Sequence, residues 1–210
     1  MSRRRVTLHI EPVLQGLATI HAEADPALAI LRAARALMYE FGLRRWTMED
    51  VADRAEVGRT SVYRAFSTRE QLMHAVLAQE LRDTIDVIER AASGEQSVEE
   101  KLVGGAVAAL GALSHSIVDR LVQTDPATFL PFLTTHAGPL VAIAREAIAT
   151  QVQALDPSID RRLAGEVGEA AARLGLSFVL VRETVLPVDD PAALVASVRR
   201  ILGPLLAGAR

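Results

Sequence analysis

Four Asp-Pro pairs, Asp25-Pro26, Asp125-Pro126, Asp156-Pro157 and Asp190-Pro191, punctuate the chain and constrain its fold more than any other feature. An Asp carboxylate accepts hydrogen bonds from the free amides of a first helical turn, and Pro suits that turn because its missing N–H would have no partner there. Each pair therefore predicts a helix start. Ser67-x-x-Glu70, Ser97-x-x-Glu100 and Thr47-x-x-Asp50 add patterns of the capping-box kind. Between these marks apolar residues recur at three and four, as in Leu28, Leu31, Ala34, Leu37, Met38 and Phe41, with Gly42 as a C-cap. The spacing predicts helices over 26–41, 48–55, 59–65, 68–92, 97–122, 126–135, 137–154, 158–182 and 190–207. Alternation with period two is confined to a weak Val6–Ile10, and half the residues are hydrophobic while only 4% are aromatic. That excess of Ala, Leu and Val suits packed helices, so the expected fold class is all-α.

With no cysteine, thiolate metal sites, disulfides and sulfur nucleophiles are excluded. The histidines at 9, 21, 74, 115 and 136 are scattered, and neither a glycine-rich phosphate loop nor paired carboxylates appear, so no enzyme and no cofactor is expected. No apolar run is long enough to span a bilayer, and Arg3, Arg4 and Arg5 lead into His9, Glu11 and Pro12 where a signal peptide needs an apolar stretch. A cytoplasmic protein without a membrane partner is expected. The net charge of −3 argues against nucleic acid, but its distribution does not. Met1 to Arg82 carries 12 arginines against 10 acids, a net of +2, which leaves −5 for the remainder.

The informative stretch is Leu31 to Leu77. Two short helices joined by Glu56-Val57-Gly58 form a tight helix-turn-helix. Val51, Ala52, Ala55, Val57, Val62 and Phe66 are spaced to pack the pair together, which leaves Arg59, Thr60, Ser61, Tyr63 and Arg64 on the outer side. Such groups suit phosphates and base edges. Taken singly, Tyr63 reads equally as a half-buried aromatic, the arginines as a solvated face, and Trp46 as a core plug or a stacking platform. Arg3 to Arg5 read as a DNA-binding arm or as a disordered tail.

Thr47-Met48-Glu49-Asp50-Val51-Ala52, then Ala55 through Phe66, then Ser67-Thr68-Arg69-Glu70-Gln71-Leu72 resembles the DNA-binding signature of the TetR family of transcriptional regulators. The likeness covers about fifty residues from Ala29, flanking helices included. It departs from the family pattern at Gly58, Ser61 and Ala65, where Ser, Thr and an aromatic are common, and at Arg69, where Lys is usual. The resemblance implies an N-terminal extension over 1–25, a DNA-binding domain over 26–72, and a ligand-binding and dimerisation domain over 73–210. It implies that Thr47, Tyr63 and Arg69 contact phosphates and that Arg59, Thr60, Ser61 and Arg64 read bases. It further implies a palindromic double-stranded operator, a homodimer formed through the last two helices, and a small hydrophobic effector whose binding releases the DNA.

The helices beyond Ser97 are apolar over more than one face and must be buried or line a cavity. Polar groups set among them, His115, Thr134, Thr135, His136, Arg173 and Ser177, are the candidates for orienting an effector. Gly168, Ala171, Ala172 and Gly175 supply small residues that let helices approach closely.

Overall fold

The structure is a computed structural model that describes residues 8–19, 25–93, 97–114, 116–181 and 183–207. The arginines at 3, 4 and 5, residues 94–96 and His115 lie outside the described residues. Eleven helices and no strand occur among those described: α1 (Ile10–Thr19), α2 (Asp25–Phe41), α3 (Met48–Arg54), α4 (Arg59–Ala65), α5 (Arg69–Ser93), α6 (Val98–Ser114), α7 (Ile117–Thr124), α8 (Pro126–Leu133), α9 (Gly138–Leu155), α10 (Arg161–Leu180) and α11 (Pro191–Ala207). No single helix among the described residues is long and apolar enough to cross a membrane.

The chain forms two compact units, and the first is discontinuous: residues 1–83 with 116–136, against 84–115 with 137–210. In the first unit α3 and α4 pack on α2, and Ile30, Ala34, Met38, Val51, Val62, Leu72 and Met73 are sealed from solvent. The helix α7 packs on α2 and α8, adding Ile117, Leu121 and Phe129 to this core; the Phe129 and Phe132 rings stack with centroids 5.4 Å apart. In the second unit α9 lies along α10, with Ala149, Val152, Ile159 and Ala164 buried between them. There α11 lies on α6 around Val103, Leu194 and Val198.

The capping grammar holds at several starts. Thr47 and Asp50 close a full capping box on α3, and Ser97 Oγ accepts from the Glu100 amide. Asp190 accepts from the amides of Ala192 and Ala193. Three expectations need correction. The helix expected over 97–122 is two, because Ser116 caps a new helix by accepting from the Asp119 amide, 3.2 Å away. The start expected at Asp156-Pro157 moves to Asp160, which takes the amides of Arg162 and Leu163, while Asp156 ends α9. Where a weak strand was expected up to Ile10, Leu8 and His9 lead into α1; Leu8 and, within the helix, Ile10 and Val13 are buried.

Candidate nucleic-acid interface

Helix α4 carries the candidate recognition surface. Val62 is fully buried on its inner side and points the helix outward: Arg59, Thr60, Tyr63 and Arg64 are exposed, Tyr63 at 46%, and Ser61 is half-buried. Between α3 and α4 the chain turns at Glu56, which takes a left-handed φ of 54°. Gly58 begins α4 at φ −67° and its absent Cβ would meet nothing, so the turn does not require glycine at that place.

The exposed groups differ in how they are held. The Arg59 guanidinium pairs with Glu49 on α3, which aligns it along the seam of the two helices. The Tyr63 hydroxyl and the Arg64 guanidinium have no hydrogen-bond or ion-pair partner among the described residues. Arg54 pairs with Glu40 at 2.7 and 3.0 Å and ties α3 to α2 rather than reaching outward. Thr47 is exposed beside this surface, its hydroxyl accepting from the Asp50 amide and donating to Asp50 Oδ2 at 2.8 Å.

Arg69, at the start of α5, is placed differently from a free surface cation. Its guanidinium lies 4.2 Å over the ring of Trp46, Nη2 donates to the Leu43 carbonyl, and Nε is buried without a partner. Burial lowers its pKa from the ordinary arginine value, against the pull of Glu70 and Asp125. Trp46 is therefore both a core plug, 3% exposed, and a platform, though the group stacked on it is Arg69 of the same chain.

The described candidates for effector contact are divided between the two units. Thr134 and His136 are exposed at the end of α8, where the Thr134 hydroxyl donates to the Leu130 carbonyl and the His136 amide to the Pro131 carbonyl. In the second unit Arg173 and Ser177 are exposed on α10, Arg173 pairing with Glu169 and Ser177 donating to the Leu174 carbonyl. A cleft of about 480 Å³ between α9 and α10 is lined by Arg145, Arg162, Gly165, Glu166, Glu169 and Ala170, with neither Arg173 nor Ser177 among them. A smaller cleft of about 180 Å³ in the first unit is lined by Leu28, Leu31, Arg35 and Val76 with Glu80 and Asp83.

Sequence reasoning missed Asp125 altogether as a site residue. Its carboxylate accepts from the Leu43 amide, 82 positions away along the chain, at 2.7 Å and pairs with Arg44 at 3.4 Å. The Asp-Pro signal was visible, but it reads as a cap for α8, and that side chain makes no cap bond.

A short helix held outward by one buried valine, seated across a second short helix and displaying a phenol and an arginine, defines a helix-turn-helix DNA-binding protein. Residues 30–76 match the family described as bacterial regulatory proteins of the tetR family, and residues 103–204 match the C-terminal domain of the bacterial tetracycline repressor. An uncharacterised HTH-type transcriptional regulator of Mycobacterium tuberculosis is 24% identical over 196 residues, covering 87% of this chain and 95% of its own. Among solved structures, the TetR family repressor AlkX of Dietzia, implicated in biodegradation of n-alkanes, shares 23% identity with a TM-score of 0.65, covering 86% of this chain and 97% of its own. The fatty acid degradation regulator FadR of Bacillus halodurans has a TM-score of 0.54 at 17% identity, covering 90% and 98%. The chain belongs to the TetR family of transcriptional regulators: it is a DNA-binding protein and not an enzyme.

Proposed function

We propose that the chain is a ligand-responsive repressor that binds a palindromic operator as a homodimer and is released by a small apolar effector. The DNA-reading part is assigned to 26–72 and the ligand and dimer part to 73–210, with 1–25 as an extension. The carrying observation is the outward face of α4, where Thr60, Tyr63 and Arg64 are exposed beside the fully buried Val62. Arg59, Thr60, Ser61 and Arg64 read base edges; Thr47, Tyr63 and Arg69 hold phosphates. The homodimer reading is supported by Leu174 on α10 and Ile201 on α11, large apolar residues 42% and 48% exposed in the single chain. The effector reading is supported by the apolar, half-buried faces of α6 and α9, which include Val107, Leu110 and Ile148, and Arg173, Ser177, Thr134, His136 and His115 remain its polar contacts. AlkX, whose fold this chain shares, is implicated in n-alkane biodegradation, a chemistry of the same apolar class. The protein is placed in the cytoplasm, where its operator is.

Retardation of a duplex from upstream of the chain's own coding region tests the reading. Tyr63→Phe removes one phosphate hydrogen bond, worth about 0.5–1.5 kcal/mol, and is expected to weaken binding roughly two- to tenfold on any sequence. Arg64→Ala is expected to cost about 1–3 kcal/mol and to relax discrimination at the base it reads. If the doubly substituted protein binds that duplex as tightly as the natural one, α4 is not the reading helix.

A further inference from the structure

We propose that Asp125, at the junction of α7 and α8, is a positioning residue for DNA binding: its carboxylate fixes the Gly42–Trp46 turn and, through it, the Arg69 guanidinium and the entry into α3. The inference rests on the phosphate roles assigned above to Thr47 and Arg69.

An Asp before a Pro at a helix start ordinarily turns its carboxylate onto its own first amides. Asp125 does not; the amides of Thr128 and Phe129 go to its backbone carbonyl at 3.0 Å, and the side chain makes no cap bond. The carboxylate reaches instead across to the turn after α2. There Oδ2 takes the Leu43 amide at 2.7 Å and Oδ1 faces Arg44 Nε at 3.4 Å, with the Asp125 side chain only 16% exposed. The Arg44 Nη2 is held in turn by Thr128 of α8 at 2.9 Å.

The turn is shaped to receive that carboxylate. Gly42 has φ +71°, which favours glycine, and a Cβ there would stand 2.6 Å from Asp125 Oδ2, so a side chain at this place would displace the carboxylate. The peptide units on either side of Leu43 are then both held, the first by Asp125 at the Leu43 N–H and the second by Arg69 Nη2 at the Leu43 carbonyl. Trp46 closes the ring of contacts: its indole N–H donates to the Gly42 carbonyl at 3.1 Å and its face carries the Arg69 guanidinium. Thr47, the next residue, opens α3 with its capping box. A guanidinium with a buried, unpartnered Nε is held there by its neighbours, since its own solvation would favour leaving. Releasing Leu43 from Asp125 therefore frees the carbonyl that orients Arg69.

Trp46 is the sole tryptophan, so its emission reports this turn directly. The full chain is compared as natural protein, Asp125→Ala and Asp125→Asn, by Trp46 emission and by binding to a mixed-sequence duplex at low salt, with circular dichroism recorded alongside. Asp125→Ala is expected to shift the emission and weaken duplex binding about tenfold, as loss of one charge-assisted hydrogen bond implies. Asp125→Asn keeps a carbonyl oxygen for the Leu43 amide and is expected to restore the emission and most of the affinity. Unchanged emission in Asp125→Ala, changed emission with unchanged binding, or no rescue by Asn each overturns the proposal. Should Asp125→Ala lose its helical signal, Asp125→Asn paired with Arg44→Ala separates the two contacts: affinity lost only with Arg44 places the effect on the ion pair and overturns the Leu43 route. Natural protein that fails to bind the duplex at all sinks the DNA-contact reading itself, visible before any variant is compared.

Discussion

Gly42 illustrates how tightly single positions are constrained in the first unit. Gly42→Ala incurs the left-handed backbone cost of about 1 kcal/mol and drives its methyl into Asp125 Oδ2. Urea unfolding is expected to show a loss of about 1–3 kcal/mol, shrinking toward about 1 kcal/mol when Asp125→Ala accompanies it, because only the contact part is relieved. The outward residues of α4 were legible in the sequence for a local reason. In a seven-residue helix whose Val62 points inward, Tyr63 and Arg64 must lie around the other side, and they do. For Arg69 the resemblance implies a phosphate contact, but nothing local announces that Trp46 lies under it and Leu43 beside it; both contacts are made by the fold. Asp125 was hidden for the same reason, its partner standing 82 residues away.

At the scale of elements, helix α1 was not legible, and its physics explains why. Leu8, Ile10 and Val13 are too few to set a period, and Pro12 looks like a breaker although it falls in the first turn, where no amide bond is lost. Its place is set by packing on α5: the His9 amide donates to His74 Nε2 at 3.2 Å and Arg82 donates to the Gly16 carbonyl at 2.8 Å. Burial first, then the neighbouring His9, lowers the His74 pKa below its ordinary 6.5, opposed by Glu70. A histidine with a lowered folded pKa contributes stability that is full above 6.5 and is lost as pH falls from there through the folded value. Protonation also removes the lone pair that takes the His9 amide. Hydrogen-exchange protection factors over Ile10–Thr19 are thus expected to fall between pH 7.5 and pH 5.5, while those of Val62 and its neighbours hold; equal behaviour of both would remove His74 from the docking. The break between α6 and α7 was missed because apolar periodicity runs through it and only Ser116-x-x-Asp119 marks it. Gly168 was rightly singled out as small, but its neighbour is in the same chain: a Cβ would lie 2.5 Å from the Arg145 carbonyl, so the residue lets α9 and α10 approach. Gly168→Ala is expected to lower stability by about 1–3 kcal/mol, read by thermal unfolding, without altering which DNA is bound.

For the molecule as a whole, the homodimer reading carries its own prediction. Leu174→Glu with Ile201→Glu places two charges on the exposed faces of α10 and α11, and sedimentation is expected to show a monomer with weakened operator binding. A dimer that survives both charges pairs through another surface. The discontinuity of the first unit matters for how such a protein is made and rebuilt. Its reading head is assembled from two stretches of chain separated by more than thirty residues, and Ile117, Leu121 and Phe129, all fully buried, arrive only with the second. A nascent chain that has emerged through residue 83 consequently still lacks the plug for its own interior, and the head is completed late in synthesis. Grafting this DNA specificity onto another sensor therefore requires transplanting 116–136 together with 1–83; a swap cut cleanly after the first stretch would leave a hollow head.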